Sequence, residues 1–303
     1  MRAGLLRALC FHQAWGYPPT PTELVASWDR GLNVFSYLPT ILEAQWALST
    51  LIEEKRMLLA RGRVIFPSHE ALVLEHERRE ALFPRKLRRA RAVAGWLRRL
   101  GGVRFVALCN TTALAHAHDE GDLDLCVVTR AGSLWQTRGL AALPFKVFGM
   151  RPGASTNEHD AVCLSFLFDD NALDLTALQL TPDDPYFRHW FLSLLPLIDD
   201  GIGRELWKHN SLITARHPLT APWLSHPDIV ARVPTLRVPW VSRLEALARR
   251  VQERVLPRAV QAEAHRSTNV VINDHILKLH VTDNRAMYRE AYEKYCREYG
   301  VEP

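Results

Sequence analysis

The sequence predicts an α+β protein in which a small mixed sheet lies between two helical regions. The first observation is a set of three continuous apolar segments that read as strands: residues 103–108, 123–128 and 162–168. The second is an apolar helical segment at residues 133–148 between the second and third strands. This alternation predicts a mixed sheet with helices on one face. The third is helical patterning before residue 100 and from Asp184 onward.

The chain is long enough to bury more than one hydrophobic core. It has 303 residues, of which 48% are hydrophobic and 9 are Trp, so its composition is not that of a disordered protein. At about 100 to 200 residues per domain, the length predicts two domains. We divide the chain into a helical domain at 1–70, a basic bridging helix at 71–100, a sheet core at 101–180 and a helical C-terminal region at 181–303.

The hydropathy and cysteine patterns predict a cytoplasmic protein without a membrane partner. No apolar run approaches the ~20 residues that a membrane span requires, and the apolar stretch Leu5–Phe11 is interrupted by Arg7. The five cysteines are scattered and include no C-x-x-C pair. This spacing predicts reduced thiols rather than a zinc or redox site.

The first 70 residues predict three helices followed by a two-stranded ribbon. Thr20 and Glu23 have the spacing of a capping box at the start of the second helix, and Thr40 caps the third helix. Residues 57–59 and 64–66 are short apolar strands separated by a turn. This order looks like a winged helix, a fold that occurs in DNA-binding proteins and in protein-interaction modules.

Two features bear on nucleic-acid binding in opposite directions. The first 100 residues hold 16 Lys+Arg against 9 Asp+Glu, and most of this excess lies in the amphipathic segment Arg78–Arg99. That segment is either a solvated helix face packed on a domain or an electrostatic surface for nucleic acid or polyphosphate. Glu43, Glu53 and Glu54 make the third helix acidic. Nucleic acid is therefore an alternative partner that we do not favour.

Asp122 and Asp124 are the strongest chemical signal in the sequence. They open the strand at 123–128 and are two positions apart, so their side chains project to the same face. Two ionised carboxylates on one face of an apolar strand are costly unless they are compensated, and a divalent cation compensates both. We therefore predict that both are metal ligands. The alternative is an exposed strand edge beside a polar loop.

The elements around this motif resemble the nucleotidyltransferase superfamily of DNA polymerase β. In that superfamily a strand leads into a Gly-Ser turn that starts a helix, and D-x-D opens the next strand. Here the strand at 103–108 leads into Asn110 and Thr111, and Asp122 and Asp124 follow. More closely, the chain is similar to uncharacterised bacterial nucleotidyltransferase-domain proteins with an N-terminal winged-helix-like region. The resemblance covers most of the chain and implies that 101–180 form the nucleotidyltransferase core.

The resemblance implies a role for each matching residue. Asp122 and Asp124 match the carboxylates that hold Mg²⁺ against the nucleoside triphosphate. Asn110 and Thr111 fall where the Gly-Ser pair offers backbone N–H groups and a hydroxyl to the phosphates. Thr111 keeps the hydroxyl, whereas Asn110 places a side chain where Gly lets the phosphates approach closely.

The resemblance also implies a third carboxylate, which helps to bind the catalytic metal or accepts the proton of the acceptor. The matching strand at 162–168 contains Ser165 in its interior and no acid there. Asp160 lies just before this strand and is the nearest candidate. We take it as the third catalytic carboxylate, beside Asp122 and Asp124.

Two histidine patterns do not complete a zinc-binding motif. His116 and His118 resemble the start of the zinc motif of the metallo-β-lactamase fold, but the final Asp-His of that motif is missing. We expect them to be loop residues. His275 and His280 are five positions apart and do not match the H-E-x-x-H spacing of zinc proteases, so we expect surface or packing roles.

The sequence therefore predicts a Mg²⁺-dependent nucleotidyltransferase that moves a nucleoside monophosphate from a nucleoside triphosphate, with ATP as the expected donor. The acceptor is a hydroxyl or amine on a small molecule or protein that the sequence does not identify. The alternative is a catalytically degenerate nucleotidyltransferase-fold scaffold or regulator that acts through the winged helix and the basic helix. Asn110 and the missing strand acid favour this alternative.

Overall fold

The computed structural model describes residues 1–31, 38–147, 159–223, 242–264 and 266–303. The helices are α1 (Arg2–Ala14), α2 (Pro21–Ala26), α3 (Ile41–Glu53), α4 (Ala71–Glu80), α5 (Phe83–Arg99), α6 (Asn110–Ala113), α7 (Leu134–Val147), α8 (Pro185–Leu192), α9 (Ile202–His209), α10 (Ser211–Thr214), α11 (Ser242–Val255), α12 (Arg258–Glu263) and α13 (Arg285–Glu298). The strands are β1 (Leu58–Ala60), β2 (Arg63–Ile65), β3 (Val103–Leu108), β4 (Leu123–Thr129), β5 (Val162–Asp169), β6 (Leu195–Asp199), β7 (Val270–Ile272) and β8 (Ile276–Leu279).

The central sheet is mixed and has six strands in the order β6-β3-β4-β5-β8-β7. Strands β4 and β5 are parallel, and the other neighbouring pairs are antiparallel. The parallel pair needs a crossover connection, which includes helix α7. The α+β class with a mixed sheet is therefore confirmed.

Helices cover both faces of the sheet, so the prediction of helices on one face is wrong. Leu125 and Val127 of β4 pack with residues of α5, α7 and α12 in one buried cluster. Cys126 and Val128, which alternate with them, pack with residues of α8, α9 and α10 in another. Successive side chains of a strand point to opposite faces of the sheet. Strand β4 is apolar at successive positions because both of its faces are buried.

The N-terminal helices form a separate core, which the C-terminal helix completes. Leu9 of α1, Leu48 of α3 and Phe66 after β2 belong to one buried cluster, and this cluster also contains Tyr292 and Cys296 of α13. The two ends of the chain are therefore packed together. Residues 181–303 contribute to this core and to the two clusters on the faces of the sheet, rather than forming one helical unit.

The predicted helical character of 181–303 is wrong for three segments, because β6, β7 and β8 come from this region. Pro196 lies within β6. Among the residues that the structure describes, strand β6 is at the edge of the sheet and pairs only with β3. An edge strand tolerates proline because one side of it has no hydrogen-bond partner in the sheet.

The predicted single bridging helix at 71–100 is two helices, α4 and α5. The break falls at residues 81 and 82, and Pro84 lies in the first turn of α5. Proline is favoured there because the first N–H groups of a helix have no partner within it. The boundaries of the four predicted domains remain predictions.

Two local features predicted in the first 70 residues are confirmed. Thr20 and Thr40 both form capping boxes with the glutamate three positions on, and β1 pairs with β2 as an antiparallel ribbon. Phe148, the last residue of the helix predicted at 133–148, lies outside the described residues. In the part of the chain that the structure describes, no helix has the length and hydropathy needed to cross a bilayer.

Candidate functional site

The candidate site lies where β3 turns through the short helix α6 into β4. Cys109 donates its backbone N–H to the carbonyl of Asp124 at 3.1 Å, which holds the end of β3 against the start of β4. Asn110, the first residue of α6, has a φ of +57°. That conformation is easiest for glycine and is tolerated by asparagine. The backbone at Asn110 thus has the left-handed conformation that a glycine favours.

The Asn110 side chain connects this turn to the carboxylate of Asp124. Its Nδ2 donates to Asp124 Oδ2 at 2.8 Å, and its Oδ1 accepts from the hydroxyl of Tyr186 at 3.0 Å. Tyr186 comes from α8, so a residue 76 positions away in sequence helps to orient the amide. The side chain that departs from the Gly-Ser pattern therefore already occupies one oxygen of Asp124.

Asp124 lies close enough to Asp122 to influence its ionisation. Burial raises the pKa of Asp122, and the negative charge of Asp124 raises it further. Burial also raises the pKa of Asp124, whereas the hydrogen bond from Asn110 lowers it. The ionised pair is thus destabilised where it stands, and a bound cation would relieve that cost.

Lys86 of α5 is the cationic side chain that lowers the pKa of both aspartates. It is 1% exposed. Its Nζ donates to the backbone carbonyls of Asp119 at 3.2 Å and Gly121 at 2.7 Å, which fixes the loop before Asp122. The basic helix therefore positions the loop that carries the aspartate pair.

Asp160 is not placed as the predicted third carboxylate. It is buried, and its oxygens pair with Lys86 Nζ at 2.6 Å, Arg89 Nη1 at 2.6 Å and Arg85 Nε at 3.2 Å. No three His, Cys, Asp or Glu side chains within the described ranges are arranged to hold a metal ion, so Asp160 does not complete such a group with Asp122 and Asp124. Its three cationic partners instead give it the role of anchoring α5 to the start of β5.

A cavity of about 280 Å³ opens beside Asp124 on the face of the sheet that α8 covers. Asp124 and Asn110 line it at one side. Ser165 of β5 and His280, just after β8, also line it, together with Tyr186. The cavity thus brings together groups from β4, β5, α6, α8 and the C-terminal segment. None of these long-range neighbours has a signal in the local sequence.

The remaining predicted residues have varied surroundings. Thr111 lies in α6, is half-buried, and accepts the backbone N–H of His116 with its carbonyl at 2.8 Å. His116 is buried in the segment between α6 and β4, and its Nδ1 lies 2.9 Å from Nδ1 of His76. Burial, with the charge of Arg79, lowers the pKa of His116 to about 3. This histidine is therefore neutral at pH 7.

His280 differs from its predicted surface or packing role, because it faces the cavity and contacts Ser165. Its sequence position, at the end of a short C-terminal strand, gives no indication of this. Comparison of the whole chain with known protein families, with curated proteins and with solved structures found no match.

Proposed function

We propose that this protein is a Mg²⁺-dependent nucleotidyltransferase that transfers a nucleoside monophosphate from a nucleoside triphosphate to a hydroxyl or amine acceptor. The observation that carries the proposal is the pair Asp122 and Asp124 at the start of β4, beside a turn with a glycine-like backbone at Asn110. This is the arrangement that the resemblance to the polymerase β superfamily implies. ATP is the expected donor.

The topology around the pair supports the same proposal. Strand β3 leads through α6 into the antiparallel strand β4, and α7 then leads to β5, which is parallel to β4. A strand, a turn starting a helix and D-x-D on the next strand form the signature of the superfamily. Helices α1 to α3 and the β1-β2 ribbon, in this order, support a winged-helix-like N-terminal domain as part of the proposal.

The residues present fit a magnesium ion that is shared with the substrate. Mg²⁺ prefers oxygen ligands and is commonly bound by one or two carboxylates together with substrate phosphates rather than by a complete protein cage. Asp122 and Asp124 supply two carboxylates whose pKa values are raised by burial. We therefore expect metal affinity to depend strongly on the nucleotide.

The chain's own residues would act by positioning the metal ion and the triphosphate. When bound, the metal would neutralise charge on the triphosphate as pyrophosphate leaves the α-phosphorus. Asp122 and Asp124 would hold it, and the backbone of the turn with the Thr111 hydroxyl would face the β- and γ-phosphates. Lys86 fixes the loop that carries Asp122. The cavity beside Asp124 would hold the reacting groups in a fixed orientation.

The direct test is a titration of the protein with ATP, with and without Mg²⁺, followed by an assay for pyrophosphate release. Binding that requires Mg²⁺ and slow pyrophosphate release are expected. The second candidate, a degenerate scaffold, is favoured by the hydrogen bond from Asn110 to Asp124 and by the ion pairs that occupy Asp160. It predicts nucleotide binding without pyrophosphate release, or no nucleotide binding.

Replacing Asn110 by glycine is expected to tighten Mg·ATP binding about fivefold. The change removes the competing hydrogen bond to Asp124, worth about 1 kcal/mol, and glycine accepts the φ of +57° without strain. Calorimetric titration measures the effect. Asn110→Ala is the matched control, since it removes the amide but keeps a Cβ. Unchanged or weaker affinity of the glycine variant would mean that the turn does not face the nucleotide.

Helix α5 is expected to bind single-stranded RNA only weakly at physiological salt. Arg85, Lys86 and Arg89 are paired with Asp160 and are therefore less available to phosphates. Each neutralised phosphate contributes a slope of about −0.7 in log K against log salt, so we expect a slope no steeper than about −2 in fluorescence anisotropy. Tight binding with a steep slope that Arg88→Glu flattens would contradict this expectation.

A further inference from the structure

A bulge in strand β5 aims Ser165 at the candidate site. Asp124 of β4 lies opposite Cys163 of β5, but Cys126 lies opposite Phe166. Two residues of β5 therefore face the single residue Leu125 of β4. Such a bulge re-aims side chains relative to the regular alternation of a strand. As a result, Ser165 and its neighbour Phe166 both line the cavity beside Asp124.

Ser165 is in contact with a histidine in this cavity. Its Oγ lies 3.2 Å from Nε2 of His280. Cys163, the residue opposite Asp124, donates its thiol hydrogen to the same Oγ at 3.1 Å. The serine oxygen is thus held between a hydrogen-bond donor and an imidazole.

His280 is neutral at pH 7, so one of its ring nitrogens is free to accept a proton. Burial, with the charge of Lys278, lowers the pKa of His280 to about 4. A hydroxyl and a neutral imidazole within hydrogen-bond reach form the usual pair of nucleophile and base. In this chain the serine of the pair lies on β5, the strand on which the resemblance implies a third carboxylate.

We infer that Ser165 is itself a nucleotide acceptor and that His280 takes its proton. This inference rests on the proposed nucleotidyltransferase function and names an acceptor for it. The Ser165 oxygen forms a bond to the α-phosphorus of ATP while the bond from that phosphorus to the bridging oxygen of the β-phosphate breaks. Pyrophosphate leaves, and the hydroxyl proton passes to His280 Nε2. The product is a serine that carries one adenylyl group.

The experiment is incubation of the full chain with Mg²⁺ and ATP labelled at the α-phosphate, followed by intact mass analysis and peptide mapping. We expect one adenylyl group on the peptide that contains Ser165, with a linkage stable to acid and to hydroxylamine. Ser165→Ala should abolish the label, and His280→Gln should slow its formation by about 100-fold or more, as for loss of a general base. Ser49→Ala, at an exposed hydroxyl on α3, is the matched control and should label normally.

Calorimetry with Mg·ATP on the same samples distinguishes failure of the Ser165 inference from failure of the proposed function. If Mg·ATP binds but no label appears, Ser165 is not an acceptor, and the proposed function stands without it. An acid-labile label on His280, or a hydroxylamine-labile label on an aspartate, would also overturn the inference. Absence of Mg·ATP binding would remove the proposed function and this inference together. Mapping the unaltered protein decides the question even if Ser165→Ala fails to fold.

Discussion

Replacing Asp160 by alanine is expected to lower the free energy of unfolding by about 3–5 kcal/mol, the usual cost of leaving a buried charge unpaired. Lys86 is 1% exposed, and Asp160 is its anionic partner, with the two charged atoms 2.6 Å apart. Without the carboxylate, the ammonium group would stay buried with only two backbone carbonyls as acceptors. The effect would be on stability, because the described contacts give Asp160 an anchoring role.

Chemical denaturation followed by circular dichroism measures this change. Asp119→Ala is the matched control, since Asp119 also pairs with Arg85 but its side chain is 50% exposed. An exposed pair of this kind contributes at most about 1 kcal/mol. A loss below about 1 kcal/mol for the Asp160 variant, combined with loss of nucleotide-dependent activity, would return Asp160 to the role of third catalytic carboxylate.

Asp122→Asn and Asp124→Asn are each expected to weaken Mg-dependent ATP binding by at least about 100-fold, because a charged metal ligand contributes several kcal/mol. The same variants should be as stable as the parent protein or more stable at pH 7. Burial raises the pKa of each carboxyl group, so the ionised form costs free energy in the folded state. An amide of similar size removes that charge.

Weaker ATP binding together with unchanged or higher stability distinguishes a ligand role of the two aspartates from a structural role. Calorimetric titration measures affinity, and thermal unfolding at pH 7 measures stability. Asp119→Asn, in the loop just before the pair, is the control and should change neither property much. Variants at Asp122 and Asp124 that bind Mg·ATP as well as the parent protein would show that the pair is not a metal site.

Local features were predictable from the sequence because their causes are local. The capping boxes at Thr20 and Thr40 depend on a spacing of three residues, and the structure confirms both. Strands β3, β4 and β5 are continuous apolar runs, which is typical of strands buried on both faces. The position of Asp122 and Asp124 at the start of β4 follows from the same pattern.

Features that depend on distant contacts were not predictable. Pro196 lies in a strand because β6 pairs with β3, and no local pattern indicates that pairing. The bulge at Ser165 interrupts the alternation of side chains between the two faces of β5, and this alternation is what a sequence pattern uses to assign faces. Asp160 was selected for its nearness to a strand, whereas its partners lie on α5, more than 70 positions earlier. Tyr186 was also not predictable, because it comes to Asn110 from α8, which is distant in sequence.

The most direct test of the account is anomalous diffraction from crystals grown with Mn²⁺, in place of Mg²⁺, and a non-hydrolysable ATP analogue. A metal site at this pair predicts an anomalous peak within coordination distance of the carboxylates of both Asp122 and Asp124, and of the triphosphate. It also predicts no such peak when the nucleotide is left out, since two carboxylates alone bind the metal weakly. A nucleotide-bound crystal without a peak at this pair, or with the metal bound elsewhere, would contradict the account.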